Sequence, residues 1–533
     1  MNREEAVERL CAEVFDILVI GGGATGAGVA LEAASRGLKV ALVERDDFGA
    51  GTSSRSTKLI HGGVRYLERA VLHFDRTQFN LVRDALKERA VLLSIAPHLC
   101  RPLPLVTPLY NRLQVPYYRT GLKLYDWLAG RSNLSPSRFV DEHEVLTRFP
   151  MLRPEGLRGG VIYYDGQFDD ARMNVAIALT AAREGAAVAN HVEVTGLLKR
   201  GNKLRGATVC DTLSGERWEL EASVVINATG PFGDSVRNLD DPNAPPMLTV
   251  SSGAHIVLPA RFSPSDTGLL IPQTEDGRVL FLLPWLGKTL VGTTDNPAEL
   301  VRHPKSSEEE VDYLLHHVKE YVSVPVSTED VQASWSGLRP LVSDPAAADT
   351  AKLSRDHVIN VSPSGLLTIA GGKWTTYRKM ALDTVDEAVR LGDFASAGPS
   401  CTETLPLYGA DRFSPDIAGE LQEHHGLDLD VAHHLSRAYG DQAPKVAGLA
   451  ADGFGARLAE GHPFLEAEVV YAARREGART GTDVLARRTR LGILDRDAAV
   501  NAAPRVSELL SEEFGWSEEQ KGEDRARTLA FVL

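Results

Sequence analysis

The sequence predicts an α/β protein: a Rossmann-like dinucleotide-binding domain, an antiparallel-sheet substrate subdomain and an all-α C-terminal domain. Three observations carry this reading. Residues 15–44 run as buried strand, glycine turn, helix and second strand. Residues 249–295 hold short apolar runs separated by turns. Beyond about residue 400 the chain is charged, Ala-rich and helical, with no further Gly-rich strand-to-helix turn. With 533 residues, 43% of them hydrophobic and 24% charged, the chain can fill about three structural units without disulfide or metal staples.

A polar helical lead precedes FDILVI (15–20), an apolar β-branched run that enters GGGATGAG. The helix that follows ends at Gly37, and KVALVE (39–44) is the second strand of one βαβ unit. Residues 67–96 place apolar side chains three and four apart, a long amphipathic helix that stops before Pro97. From 100 to 160 the chain is Pro-rich and aromatic. A helix over 174–185, a strand over 186–198 with a turn at Gly201, and a buried strand over 223–230 come next. AHIVLPA, RVLFLLPW and TLVGTT alternate as an antiparallel sheet should, and GLLTIAGG (365–372) is a strand whose glycine pair opens a helix beginning KWTTYRKMALD. The first domain therefore spans 1–398. Its nucleotide-binding parts are about 14–80, 160–235 and 337–395, and its substrate- and membrane-side parts about 100–159 and 236–336. A helical domain covers 399–533.

The charge balance, 58 basic against 72 acidic side chains, gives −14. That field repels phosphate backbones and argues against a nucleic-acid protein, so an anionic ligand must meet locally placed Arg and Lys. Cysteines 11, 100, 210 and 401 form no CxxC pair or disulfide framework, which fits a reducing compartment. The N-terminus carries acids without an apolar core, and the richest apolar stretch, VLFLLPWLG, is broken by Pro284; neither a secretion signal nor a spanning helix is expected. Adjacent histidines at 316/317, 424/425 and 433/434 point about 100° apart on a helix, with no carboxylate or Cys at regular spacing. They read as solvated, and no metal site is expected. No GxSxG, HExxH or phosphate-loop motif supports a hydrolase or NTPase.

Gly21, Gly23 and Gly26 form GxGxxG at the first strand-to-helix turn, and Glu44 ends the next strand. The first glycine permits the turn, the second lets a pyrophosphate approach, and the third packs helix on strand; the helix N-terminus faces the anion. Glu44 suits a ribose diol and disfavours a 2′-phosphate, which leaves FAD or NAD, and the fingerprint serves both. The stretch GTSSRSTKLIHGGVRYLE (51–68) sits where the remainder of a flavin nucleotide would extend. A solvated Ser/Thr loop explains its serines but not Leu59, His61, Gly62, Gly63, Arg65 and Tyr66 in one tight group.

Residues 19–68 together with GGKWTTYRKMA (371–381) resemble the two signatures of FAD-dependent glycerol-3-phosphate dehydrogenases, flavoproteins of the D-amino-acid-oxidase-like superfamily. SGLRPLVSD (336–344), GAHIVLP (253–259) and ARRTRLG (486–492) in a helical C-terminal domain fit as well. One departure is Glu32, where that family more often has Asp. The resemblance implies FAD held by Gly21, Gly23, Gly26 and Glu44, by Thr52 and Ser53 near the phosphates, and by His61, Gly62 and Gly63 beside the ring. Gly372, Lys373, Trp374 and Thr375 lie at its pyrimidine end. Val192 or Val194 supplies adenine contacts, and Ala228, Thr229 and Gly230 the second cofactor turn. A Gly-Gly turn opening a helix suits this role on physical grounds, because its N–H groups and dipole favour the charge that develops on reduced flavin.

For the substrate the resemblance implies sn-glycerol 3-phosphate, oxidised to dihydroxyacetone phosphate, with Arg65, Tyr66, His255, Arg339, Arg355 and Lys373 around it. A buried phosphate must be paired, and Arg does this bidentately. Arg339 stands between Leu338 and Pro340 in an apolar stretch, whereas Arg355 lies in a charged SRDH turn. Loss of the C2 hydroxyl proton requires a neutral base, for which His255 is the first choice and Lys373 the rival. The electron acceptor is expected to be a membrane quinone; an oxidase using oxygen and a flavin-binding scaffold without dehydrogenase activity stay open as alternatives. Residues 111–138 interleave Arg112, Arg119, Lys123, Arg131 and Arg138 with Tyr117, Tyr118, Leu122, Leu124, Tyr125, Trp127 and Leu128. Such a patch fits contact with an anionic membrane surface, and equally the core of a subdomain. Quinone as acceptor favours the membrane, hence a cytoplasmic protein held peripherally on the inner face of the cell membrane. The oligomeric state stays open, a homodimer included.

Overall fold

The computed structural model describes residues 2–63, 76–111, 114–272, 274, 277–343 and 357–533. Phe15–Ile20 is buried at every position except Asp16, so it needs neighbours on both edges and both faces. Val40–Val43 pairs with it on one edge and Arg217–Asn227 on the other, both in parallel. Ala187–Ala189 and Leu366–Gly371 extend the sheet outward, again in parallel. In chain order these five strands run 3-2-1-4-5, the doubly wound order whose reversal opens a crevice at the carboxyl ends of the strands. The antiparallel strand His357–Val361 forms one edge.

Helices Ala24–Ser35, Asp170–Arg183 and Tyr377–Gly392 cover one face of this sheet in a continuous apolar core. The helix Arg3–Ala12, capped by the Asn2 side chain, and the hairpin Val192–Arg200 with Lys203–Asp211 cover the other. Glu32, the departure from the resembled signature, is buried, and its carboxylate accepts from Arg36, Ser400 and Thr402. It ties the first helix of the βαβ unit to the segment leading out of the first domain.

The second sheet was expected to be antiparallel and is mixed: Gly268–Ile271 runs parallel to Cys100–Pro108. The latter strand falls in the Pro-rich region and pairs over its whole length with Gly160–Phe168. Its prolines stand at the alternate positions 102, 104 and 108, so the missing donors share one edge and leave the other free to pair. The strand expected over 186–198 is two strands, Ala187–Ala189 and Val192–Arg200, separated at His191, whose φ is 55°. The helix expected over 174–185 starts earlier, at Asp170, because Asp169 caps it. Of the helix expected over 67–96, Arg76–Ile95 is helical, and residues 64–75 lie outside the described residues.

Two histidine expectations are corrected. His317 is buried rather than solvated: its Nδ1 lies 3.0 Å from Glu320 Oε2, and its ring meets Tyr313 edge-on. A carboxylate does join this pair, since helical spacing brings ligand-type atoms of His316, His317 and Glu320 within 4.8 Å of one another. His434 likewise turns inward, 2.8 Å from Glu468. Among the described residues no helix is long and apolar enough to cross a membrane.

The later C-terminal helices, Glu466–Arg475 through Glu518–Val532, share one apolar core with the second sheet, a core that holds Trp285 and Trp335 together with Val469, Leu485 and Val506, whereas Ile417–His425, Leu429–Tyr439 and Ala443–Leu449 pack with Ala467 and Tyr471 in a core of their own. Buried charges join them to the first sheet. In the widened turn Asp483–Arg488 and the residues after it, Arg487 Nε and Arg488 Nη1 reach Asp47 Oδ2 at 2.6 and 2.7 Å, and Arg490 Nη2 reaches Asp170 Oδ1 at 2.8 Å. Arg172 returns the exchange, donating to both carboxylate oxygens of Glu476 at 2.6 and 2.8 Å. Burial alone would raise the Asp47 carboxyl, but Arg488 and Arg487 hold it below the ordinary range against both burial and Asp483. Its stabilising contribution is therefore present above the ordinary carboxylate pKa and is lost as pH falls. Asp47→Ala is expected to cost about 3–5 kcal/mol in denaturant unfolding, because two buried guanidinium groups lose their carboxylate.

Candidate active site

The crevice of the doubly wound sheet is a cleft of about 1760 Å³, counting space open to solvent. Its floor is the first strand-to-helix turn. At Gly21 φ is 105°, and a Cβ there would lie 2.8 Å from the Ala228 carbonyl oxygen; one at Gly26 would lie 1.8 Å from the Gly21 carbonyl oxygen. The turn is thus tight, and the helix sits hard against the strand end. Gly23 caps helix Ala24–Ser35, and a Cβ added to it would find only Ser53 Oγ, at 3.1 Å. That leaves an open approach to the helix N-terminus, where an anion is favoured.

Glu44 accepts the N–H groups of Gly22 at 2.7 Å and Asp46 at 3.0 Å at the edge of the cleft. Burial raises its carboxyl above the usual range against these two donors. Ser53 Oγ accepts the Ala24 N–H at 2.9 Å, the Ser53 carbonyl accepts the Trp374 indole N–H at 2.8 Å, and the Thr52 hydroxyl donates to Leu338 O at 2.5 Å. The 51–58 loop is therefore clamped between the N-terminal fingerprint and the last strand-helix unit of the first domain. On the far wall the Asn227 side chain accepts from Thr229 N–H and Oγ1, shaping the turn Ala228, Thr229, Gly230. Val192 and Val194 line the same cleft, with Glu193 and Arg302 ion-paired at 2.8 Å beside them.

Gly21, Gly23, Glu44, Thr52, Ser53, the 228–230 turn, Gly372, Lys373 and Trp374 all line this one cleft. Gly26 does not, since its role is packing. His61 and Thr375 are mutually hydrogen-bonded, the His61 N–H donating to Thr375 Oγ1 at 3.3 Å and the Thr375 hydroxyl to His61 O at 3.4 Å. The Gly62 N–H donates to Tyr125 OH at 2.9 Å, and Gly63 follows with φ at 81°. Arg65, Tyr66 and Arg355 lie outside the described residues.

His255 stands on the long strand Leu248–Pro259, paired with Trp335 of Ala333–Val342. The rings stack with centroids 4.1 Å apart and planes at 18°. Its Nε2 lies 3.0 Å from Thr57 Oγ1. Burial, then Lys58 and Arg339, hold the imidazole well below its usual pKa, so it is neutral. Arg339 is more heavily held than a free phosphate clamp: it reaches Asp295 at 3.0 Å, Ser252 O at 3.1 Å, Thr293 Oγ1 at 3.1 Å and Thr294 O at 3.0 Å. A phosphate arriving there must share the guanidinium with Asp295. Sequence reasoning missed Lys58, Asp170, Trp335 and Arg490, which gather behind His255; the signal for Lys58 was a cation set between a run of hydroxyls and an apolar pair in SSRSTKLIHGG.

Within 111–138 the structure separates two roles. Leu122, Tyr125 and Ala129 of helix Gln114–Ala129 are core, and Tyr125 OH donates to Asp165 at 2.9 Å. For Leu122 and Tyr125 this is the subdomain-core reading that the sequence left level with a membrane face. Arg138 is paired with Glu144. Trp127 is 70% exposed.

The fold and cleft define an FAD-dependent oxidoreductase. The family described as FAD dependent oxidoreductase matches residues 16–378, and the C-terminal domain of alpha-glycerophosphate oxidase matches 400–521. The chain belongs to the FAD-dependent glycerol-3-phosphate dehydrogenase family. It is 51% identical to the mitochondrial glycerol-3-phosphate dehydrogenase of Mus musculus over 97% of this chain and 73% of that protein. With the Arabidopsis thaliana mitochondrial enzyme the identity is 46%, over 98% of this chain and 86% of that protein. The structure of glycerol-3-phosphate dehydrogenase from Bacillus halodurans complexed with FAD superposes with a TM-score of 0.81 and 30% identity, over 99% of this chain and 97% of that chain.

FAD is the cofactor, and the cleft fits it: an open helix N-terminus at Gly23, an acid at Glu44, and glycine turns on both walls. Gly23→Leu is expected to give folded protein without visible flavin absorbance, since the side chain fills the pyrophosphate approach. A variant retaining full flavin would move the cofactor elsewhere.

Proposed function

We propose that the chain oxidises sn-glycerol 3-phosphate to dihydroxyacetone phosphate and passes the electrons to a membrane quinone. FAD, when bound, supplies the hydride acceptor at flavin N5. The observation that carries this reading is the neutral, buried His255 beside two cations, reached from the 51–63 loop through the half-buried Thr57. His255 is the catalytic base: the C2 hydroxyl proton passes through Thr57 Oγ1 to Nε2 while the C2 hydride leaves, so the alcohol loses two electrons and two hydrogens and becomes a carbonyl. Arg339 and Lys373, with Arg65, Tyr66 and Arg355 of the resembled set, bind the phosphate, and Arg339 is oriented for it by Asp295. Val192, Val194 and the 228–230 turn hold the adenosine half of the cofactor, and His61, Gly62, Gly63 and Thr375 flank its ring.

Anaerobic addition of glycerol 3-phosphate is expected to bleach the flavin, and a soluble quinone analogue to restore it with little peroxide formed under air. His255→Asn is expected to slow bleaching by about 10²–10⁴-fold with flavin still bound. No bleaching in the wild type would overturn the substrate assignment; stoichiometric peroxide would make it an oxidase.

Trp127 supports docking at a membrane surface, since a large exposed indole suits the headgroup boundary. All four cysteines are free, which fits a reducing, cytoplasmic side for that contact. Sedimentation with anionic liposomes is expected to fall at high salt and in Trp127→Ser while flavin reduction persists; wild-type binding by that variant would move the membrane face elsewhere.

A further inference from the structure

Lys58 is fully buried and sits at φ 63°, in the left-handed region that a lysine occupies only where its surroundings force it. Its Nζ donates to Ser54 O at 2.9 Å and Asp170 Oδ2 at 2.7 Å. The same Nζ lies 4.5 Å from the centre of the Trp335 ring. A second cation on Asp170 comes from the C-terminal unit. Arg490 is also buried and also left-handed, at φ 68°, and donates to Asp170 Oδ1 at 2.8 Å and to the same Ser54 carbonyl at 2.9 Å. Two strained residues from distant parts of the chain thus converge on one carboxylate and one carbonyl. From there the contacts run to the imidazole by two short routes, through Trp335, stacked on His255, and through Thr57, the neighbour of Lys58.

We propose that Arg490, Asp170 and Lys58 are positioning residues for the oxidation: through them the C-terminal unit fixes Thr57 and Trp335 against His255 and places the Lys58 cation beside the imidazole, with Asp170 and Arg490 behind it. The proposal rests on the reading of His255 as the base. Among the described residues, the charged groups facing His255 are Lys58 from the 51–58 loop and Arg339 from its neighbouring strand. Asp295 stands behind Arg339, and Asp170, Asp169 and Arg490 stand behind Lys58. Burial, resisted by Asp170 and reinforced by Arg490, brings Lys58 down to about 7. Removing a cation from this group makes the imidazole easier to protonate, so His255 loses its neutral form at higher pH.

The test is the pH dependence of kcat/KM in flavin-loaded Lys58→Met, alongside NMR titration of 13C-labelled imidazole carbons in the same holoenzyme. Lys58→Met keeps apolar volume against the tryptophans and removes the charge. The acidic limb, and with it the His255 resonance, is expected to shift upward by about one pH unit. Arg490→Met is expected to move both the same way by less, and it serves as the test if Lys58→Met fails to load flavin. His255→Asn separates the two ideas. If the limb survives in His255→Asn, the base reading fails. If His255→Asn abolishes the limb, while the charge variants leave limb and resonance where the wild type has them, the positioning proposal is overturned and the base reading stands.

Discussion

A guanidinium taken out of water costs several kcal/mol unless a carboxylate meets it in good geometry. The turn after Thr482 buries three, and carboxylates tied to other parts of the fold meet them: Asp47 follows the second strand of the βαβ unit, Asp170 starts the helix over the sheet, and Asp483 closes the turn while also holding His191 at 2.9 Å. Because neither side can keep its charges buried alone, the helical unit and the nucleotide-binding sheet are one cooperative body. The Trp285 and Trp335 side chains, shared with the C-terminal core, make the same statement in apolar terms.

That mutual dependence organises the two ends of the site differently. The cofactor end is shaped mainly by backbone: glycine turns, helix N-termini and short hydroxyl bonds to main-chain groups, all on rigid elements of one sheet. The end around His255 and Arg339 is shaped by side-chain charge. Glu310 accepts from Thr294 and Asn296, and Thr294 and Asp295 in turn hold Arg339, so this guanidinium is anchored by the protein's own acids.

The legible part of the sequence was the part with local rules. GxGxxG with its flanking strands, Glu44 and the glycine pair at 371–372 each obey short-range geometry; Gly21, Gly23, Glu44 and the glycine pair line one cleft, and Gly26 packs beneath it. The strand Cys100–Pro108 was hidden because three prolines argue against a strand unless their missing donors all fall on one edge. Burial of Tyr125 and Leu122 was hidden because an aromatic, basic helix reads alike from either side until its neighbours are known. His317 looked solvated since the pairing with Glu320 depends on which helical face turns inward. Lys58, Asp170 and Arg490 could not be joined from sequence at all: each is an ordinary charged residue until folding brings the three together.

The hydrogen bond from the Trp374 indole to the Ser53 carbonyl spans 321 residues. It joins the loop behind the fingerprint to the last strand-helix unit of the first domain, and the strand before that unit, Leu366–Gly371, is the outermost parallel member of the sheet. A chain emerging from the ribosome therefore carries its nucleotide fingerprint long before it owns the opposite wall of the cleft. The cleft that holds the glycine turn can be complete only once the chain has been made past Trp374.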